Sequence, residues 1–308
     1  MNVAAALPGG GARVVPVREF IAARERRDHA IERAFFAGLL LRNGVYKTTE
    51  EHRMDSLFPL VVRHARAHAA RSLRVLDIAC SSGVTTVELH RALAAAGFAV
   101  ETVGTDLALE ADYVVRDDGA ALLFDSRGAV LQVELGGWAS PWRFRPRDLM
   151  WHTSRVARAR TLIAREADAF RGARHGGAPG FAATRVALLA GTTLAEPAVR
   201  FVEEDILEPA AEGPFDLVRV ANLLKRGNFD PATLRRMVTV VGERVAEDGL
   251  LLILRSHGSP PVHHGTLFRR RGTRFEEVER IGDGSEVAAL VLAADIPYNG
   301  ASHALRSS

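Results

Sequence analysis

Eleven consecutive residues, Leu73-Arg-Val-Leu-Asp-Ile-Ala-Cys-Ser-Ser-Gly83, constrain the fold of this chain more than any other stretch. They read as a buried apolar strand over 73–79 that breaks into a turn of small residues, followed at once by a helix over 84–96. Such a turn lets a ligand approach the backbone closely, and the amides at the start of the helix face it. A second strand, over 99–106, ends in Asp106. A carboxylate at the tip of a neighbouring parallel strand is placed to accept hydrogen bonds from a ribose. The two features together point to a nucleoside-containing cofactor.

The same alternation recurs further on. Strands are expected over 199–203 and 215–221, a helix over 231–246 and a strand over 249–255. Asp230-Pro231 supplies an N-cap and a first-turn proline, and Glu247-Asp-Gly249 a tight turn. Strands alternating with helices imply a parallel sheet wound in the right-handed sense. Beyond 262 the pattern changes to β-segments at 266–271, 274–280 and 286–293, joined by turns at Gly272 and Gly282-Asp-Gly284, so a hairpin closes the sheet.

Ahead of this pattern lies a helical lead-in over 1–72. Its first twelve residues are small and Gly-rich and are expected to be disordered. One amphipathic helix is predicted over 17–42, closed by Asn43-Gly44. Thr48-Thr-Glu-Glu51 reads as a capping box opening another helical stretch, with a fresh start near Ser56 before Pro59. A long insertion separates the second and third strands, over 107–198. It contains a hairpin over 121–134 turning at Asp125–Gly128, a basic helix over 154–170 and a flexible loop over 172–180. An insertion at the ligand edge of an α/β sheet is a natural place for substrate-binding elements. Residues 301–308 form a tail.

Composition narrows the functional class. The chain is 47% apolar and 25% charged, as soluble globular proteins are. Cys80 is the only cysteine, which excludes an intramolecular disulfide and a cysteine-based zinc site. The apolar run Ala34–Leu41 is too short to span a bilayer, so a cytoplasmic protein with no membrane partner is expected. Aromatic residues do not interleave with basic ones as in a nucleic-acid module, so no nucleic-acid partner is expected. Ten arginines against three acids over 143–185 read first as a solvated helix face, although they would also suit an acidic substrate or partner.

These segments, in this order, resemble the class I S-adenosylmethionine-dependent methyltransferases. Four local matches carry the likeness: the loop Asp77–Gly83, Asp106, Glu204-Asp205-Ile206 after the third strand, and Pro214-Phe-Asp-Leu-Val-Arg-Val-Ala-Asn222 at the fourth. The likeness runs from about residue 73 to 293, interrupted by the insertion. Within the class, Ala79-Cys-Ser-Ser-Gly83 and Arg219-Val-Ala-Asn-Leu-Leu224 look like the chemotaxis-receptor glutamate methyltransferases, although the paired acids that follow the glycine in that family are missing here. The resemblance implies an α/β fold of Rossmann-like type, a seven-stranded mostly parallel sheet with an antiparallel last strand. It also implies S-adenosyl-L-methionine as cofactor and methyl transfer to an O or N acceptor of a small molecule or peptide.

The resemblance assigns roles residue by residue. Asp77 would serve the methionine end of the cofactor. Ala79, Ser81 and Gly83 would form the loop, although Ala79 and Ser81 stand where two glycines usually sit. Asp106, followed by Leu107, would take the ribose hydroxyls, and Asp205 with Ile206 would flank the adenine, with Glu204 the alternative one residue earlier. Asn222 would lie beside the sulfonium and the acceptor. Catalytic residues are not legible, and Asn222, His152 and Tyr46 are the candidates, with Asp148 and Trp151 also in the insertion. Arg219, a charge inside a buried strand, is expected to pair with an acid or reach the pocket rim. His263-His264, after Pro260-Pro261, read as ordinary loop histidines, and no metal site is expected. A nicotinamide-dependent oxidoreductase is disfavoured because it would require Gly-x-Gly-x-x-Gly for its pyrophosphate. A non-catalytic cofactor-binding or partner-binding protein of the same fold is the remaining alternative.

Overall fold

Strand β1 (Ser72–Ile78) is buried along most of its length on both faces, as a near-continuous apolar run requires at the centre of a parallel sheet. The computed structural model describes residues 14–48, 50–67, 71–141, 153–176, 178–208, 212–258 and 260–297. By internal contacts the chain divides into two compact units, one comprising 51–107 and 196–308 and the other 1–50 and 108–195.

The larger unit is built on a seven-stranded sheet. Beside β1 lie β2 (Ala99–Asp106), β8 (Val199–Glu203), β9 (Phe215–Ala221), β10 (Val245–His257), β11 (Val262–Arg271) and β12 (Arg274–Ile281), in the order β12-β11-β10-β9-β1-β2-β8. Neighbours from β8 to β10 are parallel, and β11 and β12 each run antiparallel to the strand before them. This is the α/β architecture that the sequence leads one to expect. Alternate residues feed two apolar layers. Leu76, Val218, Leu251 and Ile253 pack with Met237, Val238 and Val241 of the helix Pro231–Glu243. Val75, Leu217, Leu252 and Leu254 pack with Leu89 and Leu93 of the helix Val84–Ala95 and with Val61 and Ala65 of the helix Phe58–Arg66. The strand order reverses at β1, whose neighbours are β2 and β9, and their carboxyl ends therefore form the crevice in which open α/β sheets bind ligands.

The smaller unit carries a five-stranded antiparallel sheet of β3 (Glu110–Arg116), β4 (Ala121–Asp125), β5 (Val130–Leu135), β6 (Trp138–Pro141) and β7 (Phe181–Ala187), in the order β6-β5-β4-β3-β7. The hairpin expected over 121–134 is β4–β5, and the basic helix runs over Thr153–Gly172. Buried carboxylates hold the N-terminal helices in this unit. Glu134 accepts the Val17 N–H at 2.6 Å and the Tyr113 hydroxyl at 2.9 Å, while Glu32 accepts from Arg24 at 3.1 Å and from the Gly191 N–H at 3.2 Å.

Four local expectations are corrected. The single helix over 17–42 is two helices, Val17–Glu25 and His29–Gly38. Arg27 adopts a left-handed conformation (φ 58°), and Asp28 caps the second helix by accepting from the Ala30 and Ile31 amides. The Thr48–Glu51 capping box opens no helix: residues 51–54 are turns, and helix resumes only after the short 3-10 turn Asp55–Leu57. The helix from Pro231 ends at Glu243, because Val245 already pairs with Phe215 and a register shift before Leu250 absorbs the expected Glu247–Gly249 turn as a bulge. The segment expected as strand over 286–293 contains the helix Ala288–Ala293, whose Val291 packs into the core. The glycine-rich first twelve residues lie outside the described residues.

Candidate functional site

The turn after β1 shows how this chain forms a glycine-type loop with few glycines. Ala79, Ser81 and Gly83 all take left-handed backbone angles, φ 60°, 59° and 81°. Three hydrogen bonds hold them there. The Cys80 N–H donates to the Thr105 carbonyl (2.9 Å), the Ser81 N–H to Asp106 Oδ2 (2.7 Å) and the Gly83 N–H to the Cys80 carbonyl (3.0 Å). Asp106 at the tip of β2 therefore braces the loop. Gly104, one turn of the pleat earlier, leaves room for the loop and β8, since a Cβ there would lie 2.7 Å from the Phe201 ring and 3.3 Å from Cys80 Sγ. An L-residue in the left-handed region costs about 1–2 kcal/mol, part of which a glycine would return as unfolded-chain entropy. Ala79→Gly is accordingly expected to stabilise the protein by roughly 0.5–1 kcal/mol, read as a rise in Tm. A fall in Tm would show that the Ala79 methyl packs more than its backbone strains.

Asp77 and Arg219 are register partners on β1 and β9 and are 1% and 2% exposed. Arg219 Nε donates to Asp77 Oδ1 at 2.8 Å and Nη2 to Oδ2 at 2.5 Å. Thr86 Oγ1 donates to Oδ2 at 2.5 Å, and Arg219 Nη2 also reaches Thr85 Oγ1 at 3.0 Å. Arg219 thus pairs with an acid, as a buried charge must, and the Asp77 carboxylate is engaged on both oxygens. The third guanidinium nitrogen, Nη1, is buried without a hydrogen-bond partner among the described residues.

Glu204 and Asp205 follow β8. The Glu204 amide donates to the Asp106 carbonyl at 2.9 Å, and its carboxylate receives the buried Arg244 Nη1 at 2.7 Å. Asp205 Oδ1 accepts the Leu207 N–H at 3.1 Å, closing a turn that lays Ile206 against the core. Of the two acids, Glu204 is turned to Arg244, and Asp205 with Ile206 lies on the loop that leaves β8. Asn222 ends β9 in a left-handed conformation (φ 61°), donates its amide to the Leu254 carbonyl (2.8 Å) and accepts the Ser256 N–H on Oδ1 (2.8 Å). Leu107 follows Asp106 and is half-buried.

Sequence reasoning missed a group at the same edge. Segment 52–55 runs from helix Val84–Ala95 to the tips of β10 and β11. The His52 N–H donates to Glu88 Oε1 (2.7 Å), Arg53 Nη2 to the Ser256 carbonyl (2.6 Å), and Ser256 Oγ contacts Met54 Sδ (3.6 Å) and His263 Nδ1 (2.7 Å). His263 is therefore no loop histidine: it sits in β11 opposite Ser256, and burial, seconded by the Arg53 charge, pushes its imidazole below the ordinary value. Glu88 lies three residues past Thr85 on one helix face, and burial pushes its carboxyl up. Its i, i+3 spacing from Thr85, just past the loop, was the available signal. His52, Asp55 and Glu88 place ligand atoms within 4.8 Å of one another, but His52 and Asp55 are exposed and bonded to each other at 2.9 Å.

Tyr46 belongs to the smaller unit, where it forms a β-bridge with Leu40. His152, Asp148 and Trp151 lie outside the described residues. Among the described residues no helix is long and apolar enough to cross a membrane.

No family model and no curated protein sequence matches the chain. Solved structures do. The N-methyltransferase NodS from Bradyrhizobium japonicum, in complex with S-adenosyl-L-homocysteine, is 14% identical over 67% of this chain and 63% of its own, with a TM-score of 0.30. The TehB-like S-adenosylmethionine-dependent methyltransferase from Corynebacterium glutamicum is 15% identical over 77% and 75%, with a TM-score of 0.30. PH0226 from Pyrococcus horikoshii is 14% identical over 78% of each chain, with a TM-score of 0.33. The chain spans less than two thirds of the length of NodS. The fold stated above rests on the chain's own strand order and register.

Proposed function

We propose that this chain is an S-adenosylmethionine-dependent methyltransferase that acts on an O or N acceptor of a small molecule or peptide. The observation that carries the reading is the left-handed loop 79–83 at the carboxyl end of β1, braced by a carboxylate at the tip of β2. That pairing suits a nucleoside: backbone amides and a close approach on one side, an acceptor for ribose hydroxyls on the other. The donor set fits the cofactor elsewhere too. Asp205 would accept from the adenine amine, Ile206 would cover the ring, and Asn222 at the end of β9 would border the reacting group. Arg219 Nη1, buried and without a hydrogen-bond partner among the described residues, is a donor that an anion would satisfy.

The cofactor, when bound, supplies a methyl group on a sulfonium, and its transfer is an in-line displacement. The chain's own task is then to hold donor and acceptor in line and to exclude water, which alone can supply much of an enzyme's rate. A base is required only where the acceptor must lose a proton early. The arginine-rich run over 143–185 and the resemblance of the loop to the glutamate methyltransferases both lean toward an acidic acceptor, with carboxylate methylation one option.

Calorimetric titration with S-adenosylmethionine, S-adenosylhomocysteine and, as control, NADH tests the reading. Binding of both methionine cofactors with a Kd on the order of micromolar, about −8 kcal/mol, and no heat from NADH is the expected result. Folded protein that binds neither methionine cofactor would overturn it.

A further inference from the structure

The resemblance gives the methionine end of the cofactor to Asp77, yet the Asp77 carboxylate is engaged by Arg219 on both oxygens and by Thr86 on one. Two other buried atoms at the same edge want partners. Arg219 is 2% exposed and spends Nε and Nη2 on Asp77 and Thr85, leaving Nη1 with no hydrogen-bond partner among the described residues. Glu88 spends Oε1 on the His52 amide, and its buried Oε2 likewise has none. Leaving such groups unpaired costs about 1–3 kcal/mol each, more when charged, so each requires a partner that a water or a ligand can supply.

The two orphans belong to one place. Thr85, which touches Arg219, and Glu88 are three apart on the first turns of the helix that follows the loop, and share a face of it. Burial raises the Glu88 carboxyl, and the Arg219 charge is among the influences that lower it again. One orphan is a cationic donor, the other an anionic acceptor. The neighbouring charges are His52 and Asp55, exposed and paired with each other, with His52 Nδ1 also 4.0 Å from Glu88 Oε1, and Asp77, paired with Arg219. A phosphate or other plain anion would meet Glu88, and a plain amine would leave Arg219 Nη1 unpaired. A zwitterion satisfies both.

We infer that Arg219 Nη1 and Glu88 Oε2 are the two ends of a seat for an α-amino-acid zwitterion, the carboxylate on Arg219 and the ammonium on Glu88. The inference rests on the proposed cofactor, whose amino-acid end it assigns. Asp77 is then a positioning residue, which holds the guanidinium through Nε and Nη2, leaves Nη1 for the ligand and does not touch the ligand itself.

The experiment compares S-adenosylhomocysteine, its N-acetyl derivative and 5′-methylthioadenosine, which keeps the nucleoside and thioether but lacks the amino acid, by calorimetry on the full chain and on Glu88→Gln. Wild type should bind S-adenosylhomocysteine at least about tenfold tighter than methylthioadenosine, the value of one charge-assisted hydrogen bond. Glu88→Gln should weaken S-adenosylhomocysteine about tenfold and leave methylthioadenosine unchanged. On wild type, N-acetylation should weaken binding by a similar factor, which tests the ammonium contact even if the variant folds poorly. Equal affinity for S-adenosylhomocysteine and methylthioadenosine, or a Glu88→Gln effect shared by both, overturns the seat while sparing the cofactor. Failure of every nucleoside to bind overturns both.

Discussion

Asp77→Ala is expected to lower stability by about 3–5 kcal/mol, the largest effect of any single substitution in the site, because it strands the Arg219 guanidinium in the middle of the sheet. Arg219 is 2% exposed, and Asp77 supplies both of its carboxylate contacts. After the substitution only the Thr85 hydroxyl remains among its described partners. Arg219→Met should cost less, since Thr86 still donates to the carboxylate and the apolar replacement fits a strand whose neighbours are Asp77 and Leu252. The double variant Asp77→Ala/Arg219→Met should recover much of the loss, as replacing a buried pair by apolar groups often does. Thermal and urea unfolding of the four proteins complete the cycle. A coupling energy near zero would mean that the pair contributes nothing to folding. If Asp77→Ala melted like wild type but bound the cofactor more weakly, Asp77 would face the ligand after all and the zwitterion seat would fall with it.

The fold was legible in the sequence wherever periodicity and punctuation agreed. Leu73–Ile78 had to be a central strand because its apolar residues fall on both faces, and Asp230-Pro231 had to open a helix because it satisfies the first amides and fixes the first φ. Legibility failed where tertiary contact overrode local signals. Nothing in the run 17–42 announces the break at Arg27, which exists because Asp28 caps a second helix whose Glu32 must reach the Gly191 amide. The segment 286–293 is a short apolar run that reads like a strand, but after the turn at Gly282–Gly284 its Val287 and Val291 close the apolar layer as a helix. In the candidate site, the residues read from the chain were those attached to strand tips, Asp77, Asp106 and Asn222. Those missed, Glu88, Arg53, Ser256 and His263, come together only because segment 52–55 bridges the helix after β1 and the tips of β10 and β11. Arg219 shows the limit from the other side. A charge in a buried strand demands an acid or a path to the pocket rim, yet only the parallel register of β1 and β9 says that the acid is Asp77, which the resemblance assigned to the ligand.

Asp106 carries two duties that substitution can separate. It accepts the Ser81 N–H at 2.7 Å, holding a left-handed serine in place, and in the proposed function it also takes the ribose hydroxyls. Asp106→Ala removes both. Cofactor affinity should fall by about 1–3 kcal/mol, tenfold or more, through lost charge-assisted hydrogen bonds. Stability should fall by about 1–2 kcal/mol, because the residue is 5% exposed and the Ser81 amide loses its acceptor. Asp106→Asn keeps a carbonyl oxygen for the Ser81 amide while removing the charge, so its melting temperature should stay near wild type although its affinity still drops. The signature of a ribose ligand is therefore a divergence: affinity lost in both variants, stability lost in the alanine variant alone. Calorimetry and thermal melts on the same preparations read both quantities. If Asp106→Asn binds S-adenosylhomocysteine as wild type does, Asp106 is only a brace for the loop, and the ribose must find its acceptor elsewhere along the edge formed by β1, β2 and β8.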